Sequence, residues 1–199
     1  MTLGKPLRRS FYERDSRIVA EALIGCRLVH RLPDGMRLVA RIVEVEAYMQ
    51  DDEACHASRG KTARNAVMFG PPGTAYVYFV YGMHHCFNAV TEPEGAAAAV
   101  LVRALEPLVG LDVMRRHRKG RTGVELTNGP AKLCYALAVD RALNGVDLVA
   151  STELWIERDV AIEDGQVATG PRVGVRGDER ALTVAWRFWL AGSPYASQC

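Results

Sequence analysis

The order of hydrophobic and polar residues predicts many short strands and few helices. Residues 27–32 and 36–48 flank the turn sequence Pro-Asp-Gly at 33–35, which is typical of a β-hairpin. The predicted strands cover residues 27–32, 36–48, 75–81, 84–90, 96–103, 154–162, 171–176 and 185–190. An antiparallel-rich sheet is therefore expected.

Three helices are predicted among these strands, over 15–25, over 108–118 and from 128–130 onward. Asp15 or Ser16 can cap the first helix, and Pro130 suits the first turn of the third. The hydrophobic faces are expected to consist of Ile18, Ala22 and Leu23, of Leu108, Leu111 and Met114, and of Leu133, Ala136 and Leu137. Because helices and strands do not alternate in βαβ order, the pattern favours an α+β fold.

Composition places the chain among soluble globular proteins. Its 199 residues are 49% hydrophobic and 24% charged, and the long uncharged segment 65–91 is broken by Gly-Pro-Pro-Gly at 70–73. No apolar run is long enough to span a membrane and no secretory signal is visible, so a cytoplasmic protein without membrane contact is expected. The five cysteines form no CxxC pair, and GxGxxG and Walker motifs are absent from the sequence. Neither a metal nor a nucleotide cofactor is therefore expected.

Two glutamates stand two residues apart in the hydrophobic segment RIVEVEAY (41–48). Alternate side chains of a strand share a face, which predicts one face of Ile42, Glu44, Glu46 and Tyr48 and another of Val39, Val43, Val45 and Ala47. Two carboxylates held close together raise the pKa of one of them, which suits a general acid or base near neutral pH. From the pattern alone, an ordinary solvent-facing strand remains the alternative.

The window 54–91 contains no Asp or Glu, but it holds three of the five histidines and six of the fifteen aromatic residues. Its cations can bind phosphates and its rings can stack on bases, the combination that a nucleic-acid site needs. Tyr76 and Tyr78 share a strand face, whereas Tyr81 lies on the other, beside Gly82, where a turn is expected. A ring at a hairpin tip can wedge between bases. Tyrosines half buried in a core are the alternative.

Five basic residues occur within 115–121, at the end of the second predicted helix. Such a cluster can bind DNA phosphates. Alternatively, the cations stabilise the helix end through its dipole.

Several distinctive pieces occur in order along most of the chain: RIVEVEAY (41–48), His56, TARN (62–65), MFGPPGTAYVYFVYGMHHCFN (68–88), VLVRALEP (100–107), NGPAKLC (128–134) and PRVGV (171–175). Taken together, these pieces resemble the alkyladenine, or 3-methyladenine, DNA glycosylase family. Each piece alone is weak, but the combination is highly specific. The resemblance implies one compact domain over 1–199, with a curved antiparallel-rich sheet, flanking short helices and a protruding β-hairpin.

The resemblance also implies roles for individual residues. Glu46 matches the general base that activates water, and Arg103 matches an arginine beside the water and phosphate. The base-binding residues implied by the match are Tyr48, His56 and Tyr78 around a flipped base, Tyr76 in support, and Asn88 as a guard against normal guanine. The match also makes Tyr81 the side chain inserted into the duplex gap. With the charge pattern taken into account, the residues expected to contact DNA are Tyr81 and Gly82 at the hairpin tip, together with Arg64, Arg115, Arg116, Arg118 and Lys119.

The implied activity is hydrolysis of the bond between deoxyribose and a damaged, typically alkylated, purine in double-stranded DNA. Such an enzyme acts in base-excision repair as a monomer, in the cytoplasm and on the nucleoid. It flips the base out, leaves an abasic site, and needs no metal or cofactor. Two alternatives stay open. One is a damaged-DNA recognition protein without catalysis, and the other is a nucleoside or glycoside hydrolase that uses Glu44 and Glu46 as an acid/base pair.

Overall fold

The computed structural model describes residues 4–159, 162–163 and 165–197. Within this range the strands are β1 (Arg27–Arg31), β2 (Arg37–Tyr48), β3 (Ala75–Val80), β4 (His84–Val90), β5 (Ala99–Val109), β6 (Leu154–Glu157), β7 (Val167–Gly170) and β8 (Arg187–Leu190). The helices are α1 (Arg9–Tyr12), α2 (Ser16–Leu23), α3 (Leu111–His117), α4 (Pro130–Ala136) and α5 (Glu179–Thr183). The strand pairs are antiparallel, which confirms the predicted α+β class and the antiparallel-rich sheet.

The sheet curls and branches at β2. Its continuous path is β3-β4-β5-β2-β1-β6, while β8 pairs with both β2 and β7. Along one edge β2 pairs with β5; along the other, its first part pairs with β1 and its later part, from Glu44 to Glu46, with β8. The two glutamates of β2 therefore lie between neighbouring strands on both sides.

The expected division of β2 into two faces is wrong for Ile42 and Val39. The pairing between β2 and β5 shifts register between Ile42 and Val45, and such an irregularity interrupts strict alternation. As a result, Ile42 enters the main hydrophobic core together with Val45 and Ala47. Val39 packs in a separate small cluster that contains Trp155.

The helix α2 lies where it is predicted, and Asp15 caps it by accepting a hydrogen bond from the backbone N–H of Arg17. Its hydrophobic face differs from the prediction, because Ile18 is 53% exposed and Val19 enters the core in its place, beside Leu23. The third predicted helix is confirmed as α4, with Pro at its first turn.

The second predicted helix is shorter than expected. Strand β5 runs to Val109 and α3 begins only at Leu111, so Leu108 is a strand residue. Leu108 packs against the small cluster around Trp155, and Met114 is the fully buried residue of α3.

The strand predicted over 171–176 is wrong, because β7 ends at Gly170 and an irregular segment follows. Strand β6 covers only the start of the predicted strand 154–162, of which residues 160 and 161 lie outside the described residues. The short helix α5 has no counterpart in the prediction.

Two hydrophobic clusters position the site. The main core fills one side of the sheet. A second cluster includes Met68, Tyr76 and Ala99, with Tyr48 and Tyr78 partly buried against it.

Of the helices in the described part of the chain, none is long and apolar enough to cross a membrane.

Candidate active site

Glu46 is a fully buried carboxylate with three hydrogen-bond donors. Its Oε2 accepts from the hydroxyl of Tyr48 at 2.7 Å and from Nη1 of Arg103 at 3.2 Å. Its Oε1 accepts from the backbone N–H of Val173 at 2.6 Å. Strand β2 supplies Glu46 and Tyr48, the adjacent strand β5 supplies Arg103, and the irregular segment 171–176 supplies the backbone donor. The carboxylate is therefore held in a fixed orientation from three directions.

Glu44 is also fully buried, but its surroundings are different. Its Oε1 accepts from Nε of Arg103 at 3.2 Å and from Nη1 of Arg187 at 3.3 Å. Its Oε2 accepts from the backbone N–H and the hydroxyl of Ser197, at 2.7 and 2.9 Å. Four donors engage both oxygens, so this carboxylate is suited to holding Arg103 and Arg187 in place.

Arg103 bridges the two glutamates and supplies the positive charge between them. Burial alone would lower the pKa of Arg103, but the carboxylates of Glu46 and Glu44 hold it above its ordinary value. Burial and the nearby negative charge of Glu46 raise the pKa of Tyr48 well above its ordinary value, so this hydroxyl stays protonated. Tyr48 therefore remains a hydrogen-bond donor to Glu46 across the physiological pH range.

An aromatic cavity of about 370 Å³ opens beside Tyr48. Its volume falls within the range of small-molecule sites, roughly 300–1,000 Å³. The sequence-predicted residues that line it are Tyr48, His56, Tyr76, Tyr78, Tyr81 and Asn88. A larger cavity of about 590 Å³ lies elsewhere, lined by aliphatic, acidic and basic residues such as Ile24, Glu21 and Arg158. The flat rings of the smaller cavity make it the better match to a planar base.

His56, Tyr76 and Tyr78 form a connected group of rings in this cavity. The ring nitrogen Nδ1 of His56 lies 3.0 Å from the hydroxyl of Tyr76, and the rings of His56 and Tyr78 meet edge to face at 4.5 Å. Burial, together with the positive charge of Arg64, lowers the pKa of His56 below 6.5, so the imidazole is neutral at pH 7. Burial also raises the pKa of Tyr76, to about 12. These rings therefore carry no net charge at neutral pH.

Asn88 is buried at the wall of the same cavity. It pairs with Tyr76 across β3 and β4, and its side-chain amide donates to the backbone carbonyl of that residue at 2.9 Å. The hydrogen bond fixes the side chain against the backbone, so Asn88 forms a rigid part of the cavity wall.

The hairpin between β3 and β4 presents Tyr81 at its tip. Tyr81 is 85% exposed, and both Tyr81 and Gly82 have positive φ angles, of 52° and 69°. The hydroxyl of Tyr135 on α4 donates to the backbone carbonyl of Met83 at 2.5 Å, which ties the tip to the body of the protein. The predicted turn at Gly82 and the exposed ring beside it are both confirmed by this geometry.

The predicted DNA-contacting cations lie on the surface in two places. Arg64 is exposed, and its guanidinium lies 5.6 Å from the ring centroid of Tyr78, a residue of the cavity wall. Arg115, Arg116 and Lys119 are exposed at the end of α3. The neighbouring Arg118 is half-buried, and its guanidinium donates to the backbone carbonyl of Glu125 at 3.2 Å. Helix α3 packs on α4, which in turn packs on β4, so α4 connects this cluster to the hairpin.

Several site residues have no role in the sequence-based prediction. The segment PRVGV supplies Arg172 behind Tyr48, the Val173 amide on Glu46, and Gly174 in the cavity wall. Its presence among the matching motifs is a signal that the segment matters. Arg187 and Ser197, which are more than 100 residues away in the sequence, donate hydrogen bonds to Glu44. No local sequence pattern predicts these contacts.

Comparison with known proteins confirms the resemblance. The profile of the methylpurine-DNA glycosylase (MPG) family matches residues 10–194. A protein of Carboxydothermus hydrogenoformans is 48% identical over 192 residues, which are 96% of this chain and 98% of that protein. A protein of Methanocella arvoryzae is 48% identical over 194 residues, or 96% of each chain, and one of Streptomyces avermitilis is 47% identical over 196 residues, or 96% and 91%. All three carry the name "Putative 3-methyladenine DNA glycosylase". The chain therefore belongs to the methylpurine-DNA glycosylase family.

Proposed function

We propose that this protein flips an alkylated purine out of duplex DNA and hydrolyses its N-glycosidic bond, with Glu46 activating the water. The observation that carries the proposal is the position of Glu46, a buried and oriented carboxylate directly behind the tyrosine of an aromatic cavity. The cavity opens beside a hairpin that presents an exposed ring. Together these features supply a base pocket, a charged group for the reaction and a candidate wedge for the duplex.

The energetics of the aromatic cavity are consistent with base flipping. Turning a nucleotide out of the duplex costs a few kcal/mol, and stacking on an aromatic side chain returns about 1–3 kcal/mol per base. Tyr48 and Tyr78 are placed to stack on the extruded base, while Tyr81 fills the gap. A purine alkylated at N3 or N7 carries a positive charge while it is attached to the sugar, and aromatic faces attract that charge. The neutral His56 adds no opposing charge.

The chemistry follows from the surroundings of Glu46. As the glycosidic bond breaks, positive charge develops on the sugar, and a nearby carboxylate stabilises it. The same carboxylate can take a proton from the attacking water. Because Glu46 is fully buried in the free protein, we infer that the water enters through the cavity, whose wall includes Tyr48 and Gly174. Arg103 balances the negative charge and keeps Glu46 in place.

A comparison of Glu46→Gln with Glu44→Gln tests this proposal. Base release from methylated duplex DNA is measured under single-turnover conditions, and affinity is measured with an abasic-analogue duplex. Glu46→Gln keeps the shape of the side chain but removes the base, so release should fall by about 10²–10⁴-fold while binding persists. Glu44→Gln is the matched control, and we expect it to reduce stability more than the rate of release.

Three outcomes would contradict the proposal. Near-normal turnover by Glu46→Gln would remove Glu46 from the mechanism. Wild-type protein that binds damaged duplex without releasing a base would be a recognition protein. A preference for free nucleosides over duplex DNA would favour a nucleoside hydrolase, although the four donors around Glu44 make it a poor partner for a pair of catalytic carboxylates.

A further inference from the structure

Arg172 forms a buried ion pair with Asp52 behind the base cavity. Nη1 and Nη2 of Arg172 each donate to an oxygen of the Asp52 carboxylate, the second at 3.0 Å. The guanidinium also donates to the backbone carbonyls of Ala47 at 3.1 Å and Ala181 at 3.0 Å. Both charged side chains are almost completely buried. The pair thus joins the end of β2, the loop 49–56 and helix α5.

The guanidinium of Arg172 lies against two aromatic rings. Its central carbon is 4.7 Å from the ring centroid of Tyr48 and 5.1 Å from that of Trp186. Tyr48 lines the base cavity, whereas Arg172 does not. Arg172 therefore contacts Tyr48 from outside the cavity and leaves the cavity side of the ring open to a base.

The residue after Arg172 connects this pair to the reacting group. Val173 donates its backbone N–H to Glu46 at 2.6 Å, and Tyr48 donates its hydroxyl to the same carboxylate at 2.7 Å. A guanidinium held by four hydrogen bonds would keep both donors in position at once. Arg172 is accordingly a positioning residue, since it reaches the cavity only through its neighbours.

The charge behind Tyr48 also affects what the ring attracts. A ring binds a cation through the negative potential of its face, and a second cation on the opposite side weakens that attraction. In this protein Asp52 balances the charge of Arg172, so the cavity face of Tyr48 remains attractive to a cation.

We propose that the Arg172–Asp52 pair sets the preference of the base cavity for cationic over neutral damaged purines, while holding Tyr48 and the Val173 amide in place. The inference rests on the proposed function, in which Tyr48 stacks on the flipped base. It identifies charge balance behind the ring, and not only the rings themselves, as a determinant of specificity.

The test is the ratio of two single-turnover release rates, for cationic 7-methylguanine and neutral hypoxanthine in otherwise identical duplexes. If the wild-type protein does not release one of the two bases, its affinity for the duplex that contains this base is measured in place of the release rate. Both values are measured on the same preparation, so an inactive fraction of the protein affects both values and cancels in their ratio. Asp52→Asn leaves the charge of Arg172 unbalanced, and the cationic-to-neutral ratio should fall about threefold, as expected for a weakened cation–π contact.

Three further variants make the result specific to the charge. Asp52→Ser removes the charge with a smaller side chain and replaces Asp52→Asn if that protein does not fold. The double variant Asp52→Asn with Arg172→Gln restores neutrality, so its ratio should return to within about twofold of wild type even if both rates are lower. Glu157→Gln is the distant control, because Glu157 is paired with the buried Arg27 at 2.8 Å. It should change stability and leave the ratio unaltered.

An unchanged ratio in the folded Asp52 variants would overturn the inference while leaving the proposed function intact. The same holds if the double variant keeps the lowered ratio, or if Glu157→Gln lowers it equally. Wild-type protein that neither releases nor binds either base in duplex DNA would overturn the proposed function, and this inference with it.

Discussion

At the scale of single residues, the site combines buried charges with uncharged rings. Glu44, Glu46 and Arg103 form a connected group in which each charge faces an opposite one. A buried charge left without a partner is strongly destabilising. Removing any one of these three side chains should therefore destabilise the fold. The rings of the cavity show the opposite property, since burial keeps them neutral. The buried ionic group thus lies beside neutral rings, and the cavity wall also includes the charged residues Glu53 and Arg176.

The lowered pKa of His56 predicts a pH effect on stability. Because burial and Arg64 lower this pKa in the folded protein, the unfolded chain binds more protons just below pH 6.5. The contribution of His56 to stability is complete above pH 6.5 and is lost as the pH falls. Urea unfolding of wild type and His56→Gln between pH 7.5 and 5.5 should show a steeper loss in the wild type. Parallel curves would mean that His56 titrates alike in both states.

At the scale of elements, the β3–β4 hairpin is the part suited to entering a duplex. Its tip projects an exposed ring, and Tyr135 of α4 supports it from behind. The same two strands carry Tyr76, Tyr78 and Asn88 in the cavity wall. In the function that we propose, one hairpin would therefore couple the insertion of a wedge to the shape of the base pocket.

Tyr81→Ala should separate insertion from chemistry. If Tyr81 fills the gap left by the flipped nucleotide, its loss favours the stacked state and lowers excision from duplex DNA. A lesion in single-stranded DNA has no opposing stack to hold apart, so its excision should suffer less. The measurement is the mutant-to-wild-type ratio of rates on the two substrates. Equal losses on both would show that Tyr81 acts as an ordinary cavity residue.

The cations at the end of α3 should contribute affinity without lesion specificity. Phosphate contacts carry no information about the base, and each adds to the salt dependence of binding. Replacing Arg115, Arg116 and Arg118 by Gln should weaken binding to damaged and intact duplex alike and reduce the slope of log K against log salt by about 2–3. An unaltered slope would indicate a helix end stabilised by its own charges, as the 2.9 Å pair between Arg115 and Asp112 allows.

At the scale of the whole molecule, we expect a simple hydrolase. In the proposed mechanism the carboxylate of Glu46 activates the water, so activity should persist in the presence of a chelator. A strand-cleaving step through a Schiff base needs an amine, and no lysine is found among the described residues that line the cavity. Borohydride should therefore trap no covalent complex. Loss of activity restored by zinc, or a trapped adduct, would contradict these expectations.

The sequence predicts the strands and the cavity residues better than the contacts that join distant segments. Local patterns of hydrophobic and polar residues locate β1–β4 and the first part of β5, and they place Tyr76 and Tyr78 together, because both signals are local. The register shift in β2 is set by pairing with β5, so the position of Ile42 could not be read from alternation. The contacts of Arg172 with Asp52 and of Ser197 with Glu44 cross more than 100 residues, and only the fold brings them together.

If Tyr81 is the wedge that we propose, its left-handed backbone sets the stability of the fold against DNA repair. A side chain other than glycine costs about 1–2 kcal/mol in that conformation, and the exposed ring recovers little of this by packing. Glycine at this position would relieve the strain and abolish the wedge. Selection for thermal stability alone would thus drive the hairpin tip towards sequences that fold better and repair worse. The tyrosine would persist only under selection that includes a damaged duplex.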